Sequence, residues 1–263
     1  MKRAVILLLT FLVLLAPVTV YSESSDSGYT AAREIADSLE TQYGITIRIG
    51  PECTSATTGG FTLGNQPTGR SPLLNLLGEK NYEAEIGYVE KALSCYSPDL
   101  FSHFSSDEAP GGLRILLADQ IVYDGESMAG VATVADGYYN IFLGVGAFAQ
   151  TNIHHELWHA AEFRILYDNP SAFDGWNDLN PESFHYLEDD YNLDKWEGYA
   201  EKDEYFVRGY STLDEMEDRA TIAEALFRHD AGWWAAHPGV TAKYREMKKA
   251  AEPVFGSIYP YDD

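Results

Sequence analysis

A chain of 263 residues with 41 acidic and 18 basic side chains carries a formal charge of −23. That much negative charge excludes binding by phosphate neutralisation, nucleic acid above all, and binding to anionic membrane surfaces. Its simplest reading is a solvated acidic shell around one domain, whose core draws on a hydrophobic fraction of 45%.

The first three residues, Met1-Lys2-Arg3, are followed by an apolar run over residues 4–17 and a small residue, Ser22. This pattern predicts a signal peptide over residues 1–22 and a secreted, extracellular product. The run is short for a membrane span and no second long one follows, so no stable membrane insertion is expected after its removal; an uncleaved anchor is the alternative. Residues 22–28 read as a polar linker. Ala32, Ile35, Leu39 and Tyr43 recur at helical spacing and predict a helix over residues 29–43, ended by Gly44. Residues 45–49 alternate as a short strand, residues 51–72 are rich in Gly, Thr and Ser and read as loop, and residues 81–96 read as a second helix. Cys53 and Cys95 are the only cysteines. In an oxidising compartment they predict a disulfide closing a loop of about 43 residues, worth roughly 3–4 kcal/mol; two buried thiols are the alternative. Residues 113–121 are apolar enough for a central strand. Residues 131–134 and 138–143 predict a hairpin around Asp136-Gly137, a favoured turn dipeptide.

The next segment carries the chemistry. Residues 155–159 read His155-Glu156-Leu157-Trp158-His159, an H-E-x-x-H run within a predicted helix, with Thr151 or Asn152 as its N-cap. Ile153, Leu157, Ala160 and Ala161 form its apolar stripe, leaving another face for the histidines. Two imidazoles four apart on a helix lie about 5–6 Å apart at Cβ and reach one metal ion. Zn2+ accepts such nitrogens, and Glu156, a quarter turn away, is placed to take a proton from a metal-bound water. His154 is about 100° round the helix from His155 and reads as a boundary residue rather than a ligand.

A catalytic zinc site usually takes three protein ligands. No third histidine follows soon after His159. Residues 167–205 form a long aromatic and acidic segment, read as a lid, a specificity element or a covering flap over Phe184 and Trp196. Beyond it, Thr212-Leu213-Asp214-Glu215 reads as a capping box with Thr212 as N-cap, opening a helix to about Arg228 with Gly232 past its end. That helix offers Glu217, Asp218 and Glu224 as carboxylates. Glu217 is the leading third ligand; Asp218 and Glu224 are candidates to orient a ligating histidine.

His155-Glu156-x-x-His159, followed at long range by Tyr210 and, seven residues on, Glu217, resembles the gluzincin-type zinc peptidases. It is similar in particular to the lethal-factor-like enzymes and to bacterial proteins proposed to be zinc-binding metallopeptidases. The resemblance covers residues 113–231. It implies Glu217 as third ligand and Tyr210 as hydrogen-bond donor to the developing oxyanion. One departure is Thr221, where such enzymes often carry an acidic residue four positions after the ligand glutamate.

These readings predict an α+β, zincin-like fold: a small mixed sheet packed on the H-E-x-x-H helix, with a helical C-terminal part. Residues 23–263 form a single domain, with an N-terminal lobe over 28–112 and a catalytic part over 113–255. The expected function is zinc-dependent hydrolysis of peptide bonds, with His155, His159 and Glu217 on the metal, Glu156 as general base, Tyr210 at the oxyanion and a peptide or protein as partner. Residues 138–144 are expected, by analogy, to bind substrate by strand addition. The alternative is a non-catalytic extracellular binding protein that keeps a zincin shell.

Overall fold

The computed structural model describes residues 25–53, 57–58, 61–64, 81–118, 120–123, 126–146, 148–187 and 204–256. The predicted signal peptide and Trp196 lie outside these residues. Among the described residues no helix is long and apolar enough to cross a membrane.

The architecture is mixed α+β. Helix α1 (Ser25–Tyr43) leads to β1 (Thr46–Ile49), and Gly44 between them adopts a positive φ. The helix starts inside the segment read as linker, because its first turn needs no apolar side chain. Short strands β2 (Thr57–Thr58) and β3 (Phe61–Gly64) occupy part of the segment read as loop. Helix α2 (Tyr82–Leu93) is capped by Asn81, whose side chain accepts from the Ala84 N–H; α3 (Pro98–Ser102) is a short turn of helix. Five strands follow: β4 (Leu113–Ala118), β5 (Gln120–Tyr123), β6 (Glu126–Ser127), β7 (Gly130–Ala135) and β8 (Tyr138–Gly144).

Two sheets result. The main one has the order β1-β4-β8-β7, with the first three strands parallel and β7 antiparallel to β8. The other, β2-β3-β5-β6, is antiparallel throughout. The predicted hairpin is present: β7 and β8 pair from Ala135↔Tyr138 onward, and Asp136 and Gly137 both take positive φ (55° and 77°). This is the backbone that a two-residue primed turn requires. The run read as one central strand divides between sheets, β4 in the main sheet and β5 in the other. β4 is central, and the continuously buried pattern of β4 and β8 is that of parallel strands covered on both faces.

The expectation that residues 138–144 bind substrate is corrected by this order. Strand β8 is paired on both sides, by β4 and β7, so its backbone is already used. The sheet's outer strands are β1 and β7, and β7, beside β8, is half-buried along its whole length.

The sheet is covered by α4 (Gln150–Asp168), the helix that carries the histidine motif. Its N-cap is Ala149, not Thr151 or Asn152; the Asn152 side chain instead reaches back to accept from the Ala149 N–H at 2.9 Å. The predicted stripe of Ile153, Leu157, Ala160 and Ala161 is buried, but so are His154, His155, Glu156, His159 and Glu162. The helix is central rather than amphipathic, and every polar group on it must find a partner inside. After it come α5 (Glu215–Ala225), α6 (Ala231–Ala236) and α7 (Pro238–Phe255).

The disulfide is not formed. Both cysteines are thiols: Cys53 Sγ donates to the Leu117 carbonyl and Cys95 Sγ to that of Lys91, each at 3.5 Å. Cys53 packs in a satellite core with Leu116, Ile121 and Phe142, whereas Cys95 packs against the main core. Two cysteines in a sequence set no distance between them, and here the sheet separates their surroundings.

Candidate metal centre

Helix α5 begins at Asp214, whose side chain accepts from the Glu217 N–H at 2.8 Å. Thr212, expected as the cap, closes its own turn of 3-10 helix (Gly209–Thr212) by donating to the Gly209 carbonyl. The cap therefore falls two residues later, and its hydrogen bond fixes the backbone of Glu217 itself. Glu217 in the first turn also faces the positive end of the helix dipole.

Helices α4 and α5 pack together and bring His155, His159 and Glu217 to one point. His155 Nε2 and His159 Nε2 are 3.1 Å apart; Glu217 Oε2 is 2.9 Å from the first and 3.6 Å from the second. Donors at about 2.0–2.1 Å from a tetrahedral zinc ion lie about 3.3–3.4 Å from each other. The three separations scatter around that value. Glu217 Oε2 is buried, and the three atoms crowd one another at the spacing that ligands of a single ion share. The donor set fits a zinc ion. The three side chains keep exposures of only 7%, 10% and 18%.

Of the two carboxylates that were candidates to orient a histidine, Glu224 is the one that meets one. Its Oε1 lies 2.8 Å from His155 Nδ1, so the proton on Nδ1 is held there and Nε2 is turned to the metal point. Arg208 Nη2 donates to the same oxygen at 2.7 Å. Asp218, the other candidate, orients no histidine. It accepts from Lys243 Nζ and the Tyr186 hydroxyl, both at 2.7 Å, and from Trp176 Nε1 at 3.1 Å, which ties α5 to α7. One residue beyond Glu217, it points about 100° away. Thr221, the departure noted above, is bonded to Ser211 Oγ at 2.7 Å and so anchors the turn that carries Tyr210. The Tyr210 ring lies 6.0 Å from that of His155, centroid to centroid.

Glu156 is buried beside the edge strand. A methyl group at Gly130, the first residue of β7, would lie 2.6 Å from Glu156 Oε1, so the glycine makes the room this carboxylate occupies. Burial pushes the Glu156 carboxyl up, Glu217 and Glu224 push the same way, and His155 and His159 pull it back. Burial would lower the His155 pKa, but the carboxylates of Glu217 and Glu224 at its two ring nitrogens raise it to about 10. Glu217 is held well below the usual carboxylate range: burial opposes this, and the two histidines outweigh it. His154 is not a boundary residue. It is fully buried, stacked on Phe227 at 3.6 Å and bonded through Nδ1 to the Tyr96 hydroxyl at 2.8 Å, and burial pushes its pKa down to about 4.

Two contributors escaped the sequence reading. Arg208 has no signal, since it meets Glu224 and the face of Tyr210 (5.2 Å) only through the loop path. Gly130 had one: a glycine opening a strand pattern often marks close approach of another group.

No family model and no curated protein matches the chain. Among solved structures it is similar to a Bacteroides caccae protein proposed to be a zinc-binding metallo-peptidase, with 13% identity and a TM-score of 0.47; the likeness covers 89% of this chain and 88% of that one.

The Glu224 contact is testable directly. Glu224→Ala is expected to weaken zinc binding about 10- to 100-fold without abolishing it, as losses of such orienting partners typically do. Competition with a chromogenic chelator measures this, and unchanged affinity would show that His155 needs no orienting partner.

Proposed function

We propose that the protein is a secreted zinc peptidase of zincin-like fold, with residues 23–263 as one domain and a peptide or protein as substrate. The observation that carries this is the meeting of His155, His159 and Glu217 at donor spacing while Glu156 stays outside the donor set. A metal-only site needs no carboxylate at position 156, and this speaks against the non-catalytic binding protein.

Zinc held by His155, His159 and Glu217 would polarise a scissile carbonyl and acidify a water molecule. Glu156 would serve as base toward the attacking water and as acid toward the leaving amine. A carboxylate whose pKa is raised by burial is the better matched to both halves of that task near neutral pH. Tyr210, on a turn anchored through Ser211 and Thr221, donates its hydroxyl to the developing oxyanion. Strand β7 offers a half-buried edge that starts beside Glu156, so a peptide added to that edge passes the general base.

The test is hydrolysis of a mixed peptide pool by zinc-replete protein beside a chelated control, with fragments read by mass spectrometry. Cleavage by the zinc form alone is expected, and Tyr210→Phe should slow it roughly 10²-fold with zinc content unchanged. Bound zinc without any cleavage would move the protein to the binding-module reading, and an unaltered Tyr210→Phe rate would remove that hydroxyl from the scheme.

A further inference from the structure

Away from the metal point, α4 and α5 are joined a second time. Glu162, three residues beyond His159, forms a two-pronged ion pair with Arg219, two residues beyond Glu217: Nε to Oε2 at 2.9 Å and Nη2 to Oε1 at 2.6 Å. Both side chains are buried, at 0% and 4% exposure. Trp158 Nε1 donates to Glu162 Oε2 at 3.0 Å, and the Arg219 guanidinium lies over the rings of Phe173 (4.3 Å) and Trp176 (4.9 Å).

A buried ion pair is poor evidence of net stability, because desolvating two charges offsets most of their attraction, and apolar residues of similar volume often serve as well. What the planar fork adds is direction. Two parallel hydrogen bonds fix the distance and the rotation between the groups that share them, whereas apolar packing tolerates sliding. Here the groups stand on the two helices that divide the ligand set, His155 and His159 on α4 and Glu217 on α5. Glu224 joins the helices at His155 itself, and Arg219 joins them at Glu162, seven residues further along α4 and three residues beyond His159. The helices run antiparallel through these two contacts, so together the contacts remove sliding and twisting of α5 over α4. A metal site tolerates shifts of only about 0.2 Å in its ligand distances.

We propose that Glu162 and Arg219 are positioning residues of the metal centre, a brace that sets the register of the Glu217 helix against the histidine helix. This rests on the zinc reading above and deepens it. The experiment compares Arg219→Lys and the double variant Glu162→Gln/Arg219→Met with wild type. Arg219→Lys keeps the buried charge and loses the fork; the double variant removes both charges and keeps an acceptor for Trp158. Three readings are taken on the full mature chain: thermal unfolding with chelator present, zinc affinity by chelator competition, and the visible spectrum of the cobalt-substituted protein.

The expected result is a metal-free unfolding temperature close to wild type in at least one variant, with zinc bound about 10- to 100-fold more weakly and an altered cobalt spectrum. A folded variant with wild-type affinity and spectrum would overturn the brace. So would failure of both variants to fold without metal, since the pair would then hold up the fold rather than the site. Wild-type protein that takes up neither zinc nor cobalt would sink the metal reading itself, and thereby the brace with it.

Discussion

Glu156→Gln is expected to reduce peptide hydrolysis by about 10³-fold or more while one zinc per chain is retained. The separation of the two outcomes follows from where the carboxylate sits. The three donor atoms are His155 Nε2, His159 Nε2 and Glu217 Oε2, and Glu156 contributes none of them. Gln is isosteric with Glu and fills the space that Gly130 leaves open, so neither α4 nor β7 has reason to move. What the amide lacks is a basic lone pair able to hold the proton of the attacking water and return it to the leaving amine. General acid–base groups typically supply 10²–10⁴-fold in rate, and one group serving both steps falls at the upper end of that range. Active-site titration with metal analysis on the same sample checks it. A variant with full activity would remove Glu156 from the mechanism. A variant that loses zinc would show that the side chain helps to build the site rather than to move protons.

The meeting of the candidate ligands was more legible in this chain than the packing around them. H-E-x-x-H is a local pattern: the spacing of His155 and His159 follows from helix geometry alone, and the structure places both nitrogens at one point. Glu217 is 58 residues beyond His159, and nothing local ties the two. It was reachable because a three-ligand zinc site leaves one vacancy, because an acidic helix lay downstream, and because Tyr210 stands seven residues before it. Glu224 was legible for a similar reason: seven residues from Glu217 is close to two turns, which keeps it on the face turned to α4.

Other misreadings have physical causes. Asp218 shares its neighbours' charge but not their direction, and its role depends on Lys243 from a helix that sequence does not place. Thr212 and Asp214 are both good caps, and the choice between them was made by the 3-10 turn that uses the Thr212 hydroxyl. His154 sits where a helix pattern puts a boundary, yet Phe227 and Tyr96 close over it from α5's end and α2's end. The cysteine pair was inferred from compartment and count, and neither carries a distance. Strand β8 precedes the motif helix, which favours it for substrate; only the pairing of both its edges, by β4 and β7, shows that its backbone is already used.

Glu217→Ala is expected to abolish zinc retention, with wild type holding one zinc per chain and Glu224→Ala still holding it at saturating metal. The argument begins with the metal-free site. His155 stands between two carboxylates, with Nε2 2.9 Å from Glu217 Oε2 and Nδ1 2.8 Å from Glu224 Oε1. Burial alone would lower its pKa, yet these neighbours raise it to about 10, so at neutral pH the ring is protonated on both nitrogens. The proton on Nε2 occupies the lone pair that zinc needs. Binding must release it, and zinc affinity in the wild type should therefore rise about tenfold for each pH unit between about pH 7 and pH 9 and level off near 10. Removing Glu217 deletes one donor of three and leaves two neutral nitrogens, which hold zinc far less tightly than the full set. It also takes away one of the two charges that keep the proton in place, so the residual binding should depend less steeply on pH. The stability of the folded chain follows the same metal: at free zinc about 10³ times Kd, binding adds about 4 kcal/mol, visible as an unfolding temperature that falls with chelator in wild type and not in Glu217→Ala. Metal analysis after gel filtration, with unfolding scans at two zinc concentrations, reads both effects. Full zinc content in Glu217→Ala with wild-type pH dependence would transfer the third position to another carboxylate and dissolve the three-donor site.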